Sequence, residues 1–182
     1  MKIMNTSIDG LKKIKHTIFR DNRGYFIESY NEIKHNNLLG KFHFVQHNRS
    51  KSCKGVLRGL HFQEPPFDQS KLVSCLDGEI LDIAVDLRKN SKTLGEYESN
   101  LLSDRNSYEL FIPKGFAHGF VVLSESAIVS YKVDNYYNPE YEKGIIWNDP
   151  NLNIDWMIND SEIIISEKDR CWPQLSKIIN PF

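Results

Sequence analysis

The stretch Gly55-Val56-Leu57-Arg58-Gly59-Leu60-His61-Phe62-Gln63 places an arginine and a histidine three positions apart among glycine and apolar residues. Strict alternation along a β-strand would direct Arg58 and His61 to opposite faces. Gly59 is a candidate β-bulge, which would turn both side chains toward one pocket. An imidazole with its ordinary pKa of about 6.5 can act as a base near neutral pH, so His61 is a candidate catalytic base. A histidine beside apolar residues is more often a hydrogen-bonded structural residue, and the sequence leaves both interpretations open.

Hydrophobic residues recur at every second position in the clearest segments of the chain. One alternating set is Leu81, Ile83, Val85 and Leu87, and another is Ala127, Val129, Tyr131 and Val133. This period predicts strands with one buried face, and many short strands separated by turn residues predict an all-β sandwich or barrel. Residues 31–39 are the best candidate for a short helix. Residues 160–182 are expected to form short helices or extended chain.

The composition suits a single domain spanning residues 1–182, with 40% hydrophobic and 12% aromatic residues available for a core. The 23 basic and 24 acidic residues give a formal net charge of -1, so no general attraction to nucleic acid or anionic membrane is expected. Three cysteines without a CxxC pair favour reduced thiols in the cytoplasm. The N-terminus lacks the apolar run of a signal peptide, and no stretch approaches the roughly 20 apolar residues that span a membrane.

Three further side chains could join His61 in proton transfer. Tyr131 is either a core tyrosine or a general acid, because a phenol with a pKa near 10 holds its proton at pH 7. Lys71 precedes an apolar run and would usually be solvated; inside a cavity it could stabilise an oxyanion or hold a phosphate. Asp169 alone resembles a surface carboxylate, but it could orient a histidine and stabilise the imidazolium.

Other residues recur with strand spacing and could line a ligand cleft. Phe26 and Glu28 share one face of a predicted strand, and Gln46, Asn48 and Ser50 share one face of another. Polar side chains at every second position more often mark a solvated strand face. The spacing alone supports either interpretation.

A metal site of the kind found in many jelly-roll proteins is disfavoured. Jelly-roll proteins often bind a metal through a His-x-His pair, a glutamate and a later histidine, but here only His61 and His118 fill such positions. Two histidines without a third ligand make a poor transition-metal site, so the sequence predicts no metal. Walker, GxGxxG and GxSxG motifs are missing, which disfavours nucleotide hydrolysis, nicotinamide chemistry and serine hydrolysis.

A series of short motifs follows in order between residues 19 and 173. They are residues 21–28, 46–50, 55–63, 69–73, 82–88, 113–120, 131–132, 136–140, 144–150 and 166–169. Together they resemble the dTDP-4-dehydrorhamnose 3,5-epimerase family over nearly the whole chain. The resemblance implies a cupin-type double-stranded jelly roll, a homodimer, and a reaction without metal or organic cofactor.

The resemblance also implies a role for each matching residue. His61 would be the base, Asp169 its partner, and Tyr131 the acid on the opposite face of the sugar. Lys71 would lie near the ketone oxygen, and His118 would line the same pocket. The implied substrate-binding residues are Arg58 for the diphosphate, Gln46 and Asn48 at the nucleotide end, Tyr137 and Phe26 for the thymine, and Arg23, Phe26 and Glu28 reaching into the neighbouring subunit's cleft.

The implied reaction inverts C3 and C5 of dTDP-4-keto-6-deoxy-D-glucose through an enolate and gives dTDP-4-keto-L-rhamnose for dTDP-L-rhamnose synthesis. The C4 ketone acidifies the hydrogens at both carbons, because each carbanion delocalises onto oxygen. Relatives that act at one carbon only, on another nucleotide-linked 4-keto sugar, or as 3,4-ketoisomerases are the alternatives among enzymes. A non-catalytic sugar-binding jelly roll is the alternative from another class.

Overall fold

Antiparallel strands dominate this computed structural model, which describes residues 1–179 and 181–182. In chain order the strands are β1 (Lys2–Asn5), β2 (Lys12–Lys15), β3 (Ile18–Asp21), β4 (Gly24–Ile27), β5 (Gln46–Cys53), β6 (Leu57–Gln63), β7 (Lys71–Asp77), β8 (Glu79–Asp86), β9 (Tyr97–Ser103), β10 (Tyr108–Ile112), β11 (Phe116–Val122), β12 (Ser126–Val133) and β13 (Glu142–Gly144). The expected all-β class is confirmed.

The strands form two main sheets and a separate hairpin. The larger sheet has six strands in the order β1-β2-β10-β7-β12-β5, and the smaller has five in the order β13-β6-β11-β8-β9. Strands β3 and β4 pair only with each other. Because most neighbours in both sheets are distant in sequence, each sheet brings together side chains from well-separated parts of the chain.

A hydrophobic core lies between the two sheets. The larger sheet contributes Val73, Leu110, Ala127 and Val129, and the smaller contributes Ile80, Ala84, Phe120 and Val122. Tyr131 packs against this core from one side, as the alternation along β12 predicts. Burial of apolar surface, worth about 25 cal/mol per Å², therefore holds the two sheets face to face.

The outer face of the smaller sheet is buried as well. Strand β8 is buried at every position after Glu79, on both faces. Its outer side chains pack in a second cluster with Leu152 and Trp156, which belong to the chain that follows β13. The prediction that β8 has one buried face is therefore wrong, because this later segment covers the face that would otherwise meet solvent.

Helix α1 (Glu32–Leu39) and nearby aromatic residues cover the outer face of the larger sheet. The helix begins where Oδ1 of Asn31 accepts the backbone N–H of Lys34 at 3.1 Å, and it ends at Gly40, whose φ is +103°. The predicted helix over residues 31–39 is confirmed. Within α1, the buried residue is His35.

The C-terminal segment is irregular, as predicted. It contains two 3₁₀ turns, Asp160–Glu162 and Leu175–Lys177, and the four-residue helix α2 (Glu167–Arg170). Oγ of Ser166 accepts the backbone N–H of Asp169 at 3.1 Å and so fixes the start of α2. Within residues 1–179 and 181–182, no helix has the length and apolar character needed to cross a membrane.

Candidate active site

A cleft of about 650 Å³ is lined by residues from both main sheets. It contains the four residues predicted to be catalytic together with five of those predicted to bind substrate. These nine are Gln46, Asn48, Arg58, His61, Lys71, His118, Tyr131, Tyr137 and Asp169. The fold therefore gathers side chains that the sequence could place only on separate strands.

A bulge in β6 turns Arg58 and His61 toward this one cleft. His61 pairs with His118 and Arg58 pairs with Phe120, so three residues of β6 span the same length as two residues of β11. Gly59, at the bulge, has a φ of +136°, and a Cβ at this position would lie 2.5 Å from Cα of Gly119. Glycine is required here both by the backbone conformation and by the close approach of β11, and the predicted bulge is confirmed.

The side chain of His61 is paired with a buried carboxylate. Nε2 of His61 lies 2.7 Å from Oδ1 of Asp169, whose side chain also accepts the indole N–H of Trp172 at 3.3 Å and the backbone N–H of Gly59 at 3.4 Å. Burial alone would raise the pKa of Asp169, but these hydrogen bonds outweigh it and lower the pKa. Asp169 is thus an ionised acceptor, so Nε2 of His61 carries a hydrogen and Nδ1 has the free lone pair.

Tyr131 faces the cleft from β12, on the opposite sheet from His61. It lies across from Asn48 in the register between β12 and β5. Burial raises the pKa of Tyr131, and the nearby charge of Arg58 and a hydrogen bond with Asn48 offset this only in part. The phenol therefore keeps its proton at neutral pH, the state required of a proton donor.

Lys71 begins β7 and extends its ammonium group into the cleft. Burial lowers the pKa of Lys71 to about 8, although the carboxylates of Asp82 and Glu142 act in the opposite direction. Its Nζ lies 3.5 Å from the carbonyl oxygen of His61, a weak contact that leaves donor capacity for a bound oxygen. Lys71 is mostly charged at pH 7 and sits beside the imidazole.

His118 forms a second, more deeply buried pair with a carboxylate. Its Nε2 lies 2.8 Å from Oδ2 of Asp82, whose side chain has no exposed surface. Burial lowers the pKa of His118, and Asp82 opposes that effect. In the sheet register, His118 lies directly across from His61. The cleft therefore places the imidazoles of His61 and His118, the phenol of Tyr131 and the ammonium group of Lys71 around the same space.

The model of the family described as dTDP-4-dehydrorhamnose 3,5-epimerase matches residues 5–177. The chain belongs to this epimerase family. A dTDP-4-dehydrorhamnose 3,5-epimerase of Methanothermobacter thermautotrophicus is 52% identical to it over 96% of this chain and 94% of the relative. The identity and coverage extend along nearly the full length, so the match includes every strand that lines the cleft.

Two crystal structures of epimerases extend the comparison to the fold. The dTDP-4-dehydrorhamnose 3,5-epimerase of Elizabethkingia anophelis NUHP1 is 51% identical and superposes with a TM-score of 0.93, covering 97% of each chain. The dTDP-6-deoxy-D-glucose-3,5-epimerase of Legionella pneumophila Philadelphia 1, in complex with dTDP-4-keto-L-rhamnose, is 47% identical with a TM-score of 0.94, covering 97% of this chain and 94% of the other. The expected jelly-roll architecture is confirmed.

The cleft of this epimerase has a polar mouth with hydrogen bonds between neighbouring side chains. Nε2 of Gln46 donates to Oδ1 of Asn48 at 2.9 Å, and the side-chain oxygen of Gln46 accepts the backbone N–H of Tyr137 at 3.2 Å. The hydroxyl of Tyr137 donates to Glu142, and that hydrogen bond, followed by burial, raises the pKa of Tyr137 to about 12. Glu142 also accepts from Nζ of Lys168 at 2.7 Å.

Three charged residues at the site were not predicted from the sequence: Glu142 and Lys168 line the cleft, and Asp82 lies behind it, paired with His118. A carboxylate in the middle of the apolar run of β8 was the available signal for Asp82, because an acid in a buried strand needs a partner. Glu142 and Lys168 belong to polar segments with no local pattern. Only the contact between β13 and α2 brings them together.

Arg23, Phe26 and Glu28 lie outside the cleft of their own chain. They belong to the β3–β4 hairpin and the turn after it, where Arg23 pairs with Asp21 and Glu28 pairs with Lys34. Phe26 is 67% exposed. Their predicted place in the cleft of a neighbouring epimerase subunit remains a prediction.

Proposed function

We propose that the chain inverts C3 and C5 of dTDP-4-keto-6-deoxy-D-glucose and so forms dTDP-4-keto-L-rhamnose for dTDP-L-rhamnose synthesis. The observation that carries this proposal is the placement of the His61–Asp169 pair and Tyr131 on opposite sheets around one cleft. Family membership supports the same reaction. The protein that performs it is proposed to be a cytoplasmic homodimer of single-domain subunits.

The first step is removal of a hydrogen next to the C4 ketone. Because Nε2 of His61 donates to Asp169, Nδ1 is the atom that takes the proton from carbon. The C–H bonding pair moves to form the enolate, whose negative charge resides on O4. Asp169 stabilises the imidazolium that results, as a carboxylate does beside a catalytic histidine.

The developing charge on O4 needs placed donors. Lys71 supplies an ammonium group with spare donor capacity beside His61, and His118 lies across the strand from the same residue. A donor that is held in place before the reaction stabilises the oxyanion without reorganisation, which is worth roughly 10²–10³-fold in rate. The low polarity that lowers the pKa of Lys71 also strengthens this interaction.

The second step is protonation of the carbon from the other face of the ring. The hydroxyl of Tyr131 gives its proton to the carbanion carbon, the enolate pair returns to carbon, and the ketone is restored with inverted configuration. His61 then holds one extra proton and Tyr131 lacks one, and solvent returns both to their starting states. The same sequence at the second carbon completes the double inversion.

The nucleotide is proposed to bind at the polar mouth. Arg58 carries the cation for the diphosphate, and Gln46 and Asn48 supply amides next to it. Tyr137 offers an aromatic face for the thymine. The exposed β3–β4 hairpin, with Arg23, Phe26 and Glu28, is proposed to complete the neighbouring subunit's cleft.

Reaction in D2O tests this function. The protein is incubated with dTDP-4-keto-6-deoxyglucose, and the product is analysed by NMR. One deuteron at C3 and one at C5 in a sugar of L-rhamno configuration is the expected result. Deuterium at a single carbon would instead identify an enzyme that inverts one centre, and its absence from both would refute the epimerase proposal for this substrate.

A further inference from the structure

A second group of titratable side chains lies on the opposite side of the larger sheet from the cleft. It consists of His16, between β2 and β3, His35 of α1, and Glu109 of β10. Successive residues of a strand point to opposite faces, and the neighbours of Glu109 in β10, Tyr108 and Leu110, pack with the inner core. The cluster therefore lies under α1 and shares nothing with the proposed catalytic residues.

We propose that His16, His35 and Glu109 form a binding site for one divalent transition-metal ion, zinc being the ion that this donor set fits best. Two imidazoles and a carboxylate form one of the ligand sets that proteins use for zinc. Only His61 and His118 fill positions of the jelly-roll metal motif, so that motif gives no sign of this site. In sequence, the β3–β4 hairpin separates His16 from His35, and strands β5 to β9 separate His35 from Glu109.

The spacing of the ligand atoms carries the proposal. Nε2 of His16 lies 3.0 Å and Nε2 of His35 lies 3.4 Å from the same oxygen, Oε2 of Glu109. All three atoms lie within 4.8 Å of one another. Zinc–nitrogen and zinc–oxygen bonds of about 2.0–2.2 Å in a tetrahedron separate neighbouring ligand atoms by about 3.3–3.6 Å. The two nitrogen–oxygen separations are therefore close to those that a bound ion requires.

Neighbouring groups hold the two best-buried ligands in the orientation that ligation needs. Nδ1 of His35 lies 2.8 Å from the backbone oxygen and 3.2 Å from the backbone nitrogen of Asn31. With the hydrogen on Nδ1 for the shorter contact, the lone pair of Nε2 in the neutral ring points toward Glu109. Oγ of Ser74 donates to Oε1 of Glu109 at 2.9 Å and leaves Oε2 for the ion. Such supporting hydrogen bonds accompany metal-binding histidines and carboxylates in proteins.

The charge and burial of the cluster favour an ion. His35 is 1%, Glu109 3% and His16 9% exposed. Among the described residues, the basic side chains within ion-pair distance of Glu109 are these two histidines, and no lysine or arginine is among them. A buried carboxylate needs a compensating positive charge, and neutral imidazoles provide none. A divalent cation between the three atoms supplies that charge and uses both imidazole lone pairs.

The position of the site suggests what the ion does. His16 precedes the β3–β4 hairpin and His35 follows it, so one ion would tie both ends of this segment to the sheet. Apart from the partly buried Leu39, helix α1 has few other side chains that anchor it, because His35 is its one fully buried residue and Ile33 and Leu38 are exposed. Metal binding should therefore stabilise the protein, and the site needs no part in the epimerase chemistry.

Equilibrium dialysis of the chelator-treated full chain against Zn²⁺ alone tests the proposal. The expected result is one Zn²⁺ per chain and a Tm raised by roughly 5–10 °C at 100 times the dissociation constant. Glu109→Gln should weaken binding by more than about 100-fold, and Ser74→Ala by roughly 10–100-fold. The control His43→Gln, which alters an exposed histidine paired with Glu32, should leave affinity unchanged.

Cobalt(II) in place of zinc should give the visible absorption of a tetrahedral site in the wild type and lose it in Glu109→Gln. Failure of the wild type to take up either metal would overturn the proposal and leave a cluster held by protons alone. Uptake that persists in Glu109→Gln, or that disappears in His43→Gln, would overturn it equally. Should Glu109→Gln fail to fold, unchanged affinity in Ser74→Ala would decide against the site.

Discussion

Nε2 of His61 lies 2.7 Å from Oδ1 of Asp169, although the two residues are 108 positions apart in the chain. His61 belongs to β6, whereas Asp169 belongs to the four-residue helix α2, which Ser166 caps. The contact decides which ring nitrogen carries hydrogen. The proposed role of His61 as a base therefore depends on the docking of a short C-terminal helix against the smaller sheet.

Asp169→Asn should lower kcat by roughly 10³–10⁴-fold with little change in KM. An amide of the same shape can still contact the ring, but it neither stabilises the imidazolium nor enforces the tautomer with a free Nδ1. Steady-state kinetics with dTDP-4-keto-6-deoxyglucose measure both constants, and dTDP binding by calorimetry checks that the cleft is intact. A kcat within threefold of the wild type would contradict the role given to Asp169.

The pH profile should report the state of Lys71. Its pKa is lowered to about 8, so the ammonium form predominates below pH 8 and is lost above it. We expect kcat/KM to fall above about pH 8, because the neutral amine no longer stabilises the enolate oxygen. Burial raises the pKa of Tyr131, which places loss of its proton at higher pH.

Lys71→Gln should lower kcat/KM by roughly 10²–10³-fold and remove the decline above pH 8. Lys51→Gln, at an exposed position of β5, is the control and should keep the wild-type profile. An alkaline limb near pH 8 that survives in Lys71→Gln would assign this titration to another group.

Gly59→Ala should destabilise the fold more than Gly24→Ala does. Both glycines have positive φ, +136° and +130°, so both substitutions introduce backbone strain of about 1–3 kcal/mol. A Cβ at Gly59 would also lie 2.5 Å from Cα of Gly119, whereas Gly24 has nothing within 4 Å of the added atom. Urea unfolding measures the difference, and equal losses would show that the close approach of β6 to β11 is unimportant.

Local patterns predicted the strands and the helix because their causes are local. Period-two alternation placed Tyr131 on the inner face of β12, and the Asn31 cap fixed the start of α1. The same alternation failed for the outer face of β8. That face is buried by Trp156 and other residues of the chain after β13. These residues lie roughly 70 positions after β8, so the sequence of β8 alone does not show that its outer face is covered.

The site was predictable where a residue type was unusual for its strand, or where a family motif identified it. Gly59 marked the bulge, and the resemblance supplied Asp169, which looks like a surface residue in isolation. Glu142 and the cluster of His16, His35 and Glu109 were missed. Their partners come from distant strands and loops, so only the sheet order reveals that they meet.

His61 and Tyr131 are proposed to act on opposite faces of the sugar, and Tyr131→Phe in D2O separates their two roles. With the acid removed, His61 can still take a proton, exchange it with solvent and return a deuteron to the same face. For Tyr131→Phe we expect deuterium in recovered substrate of unchanged configuration, with inversion slowed by more than about 10²-fold. Inversion at the wild-type rate, or complete loss of deuterium exchange, would contradict it.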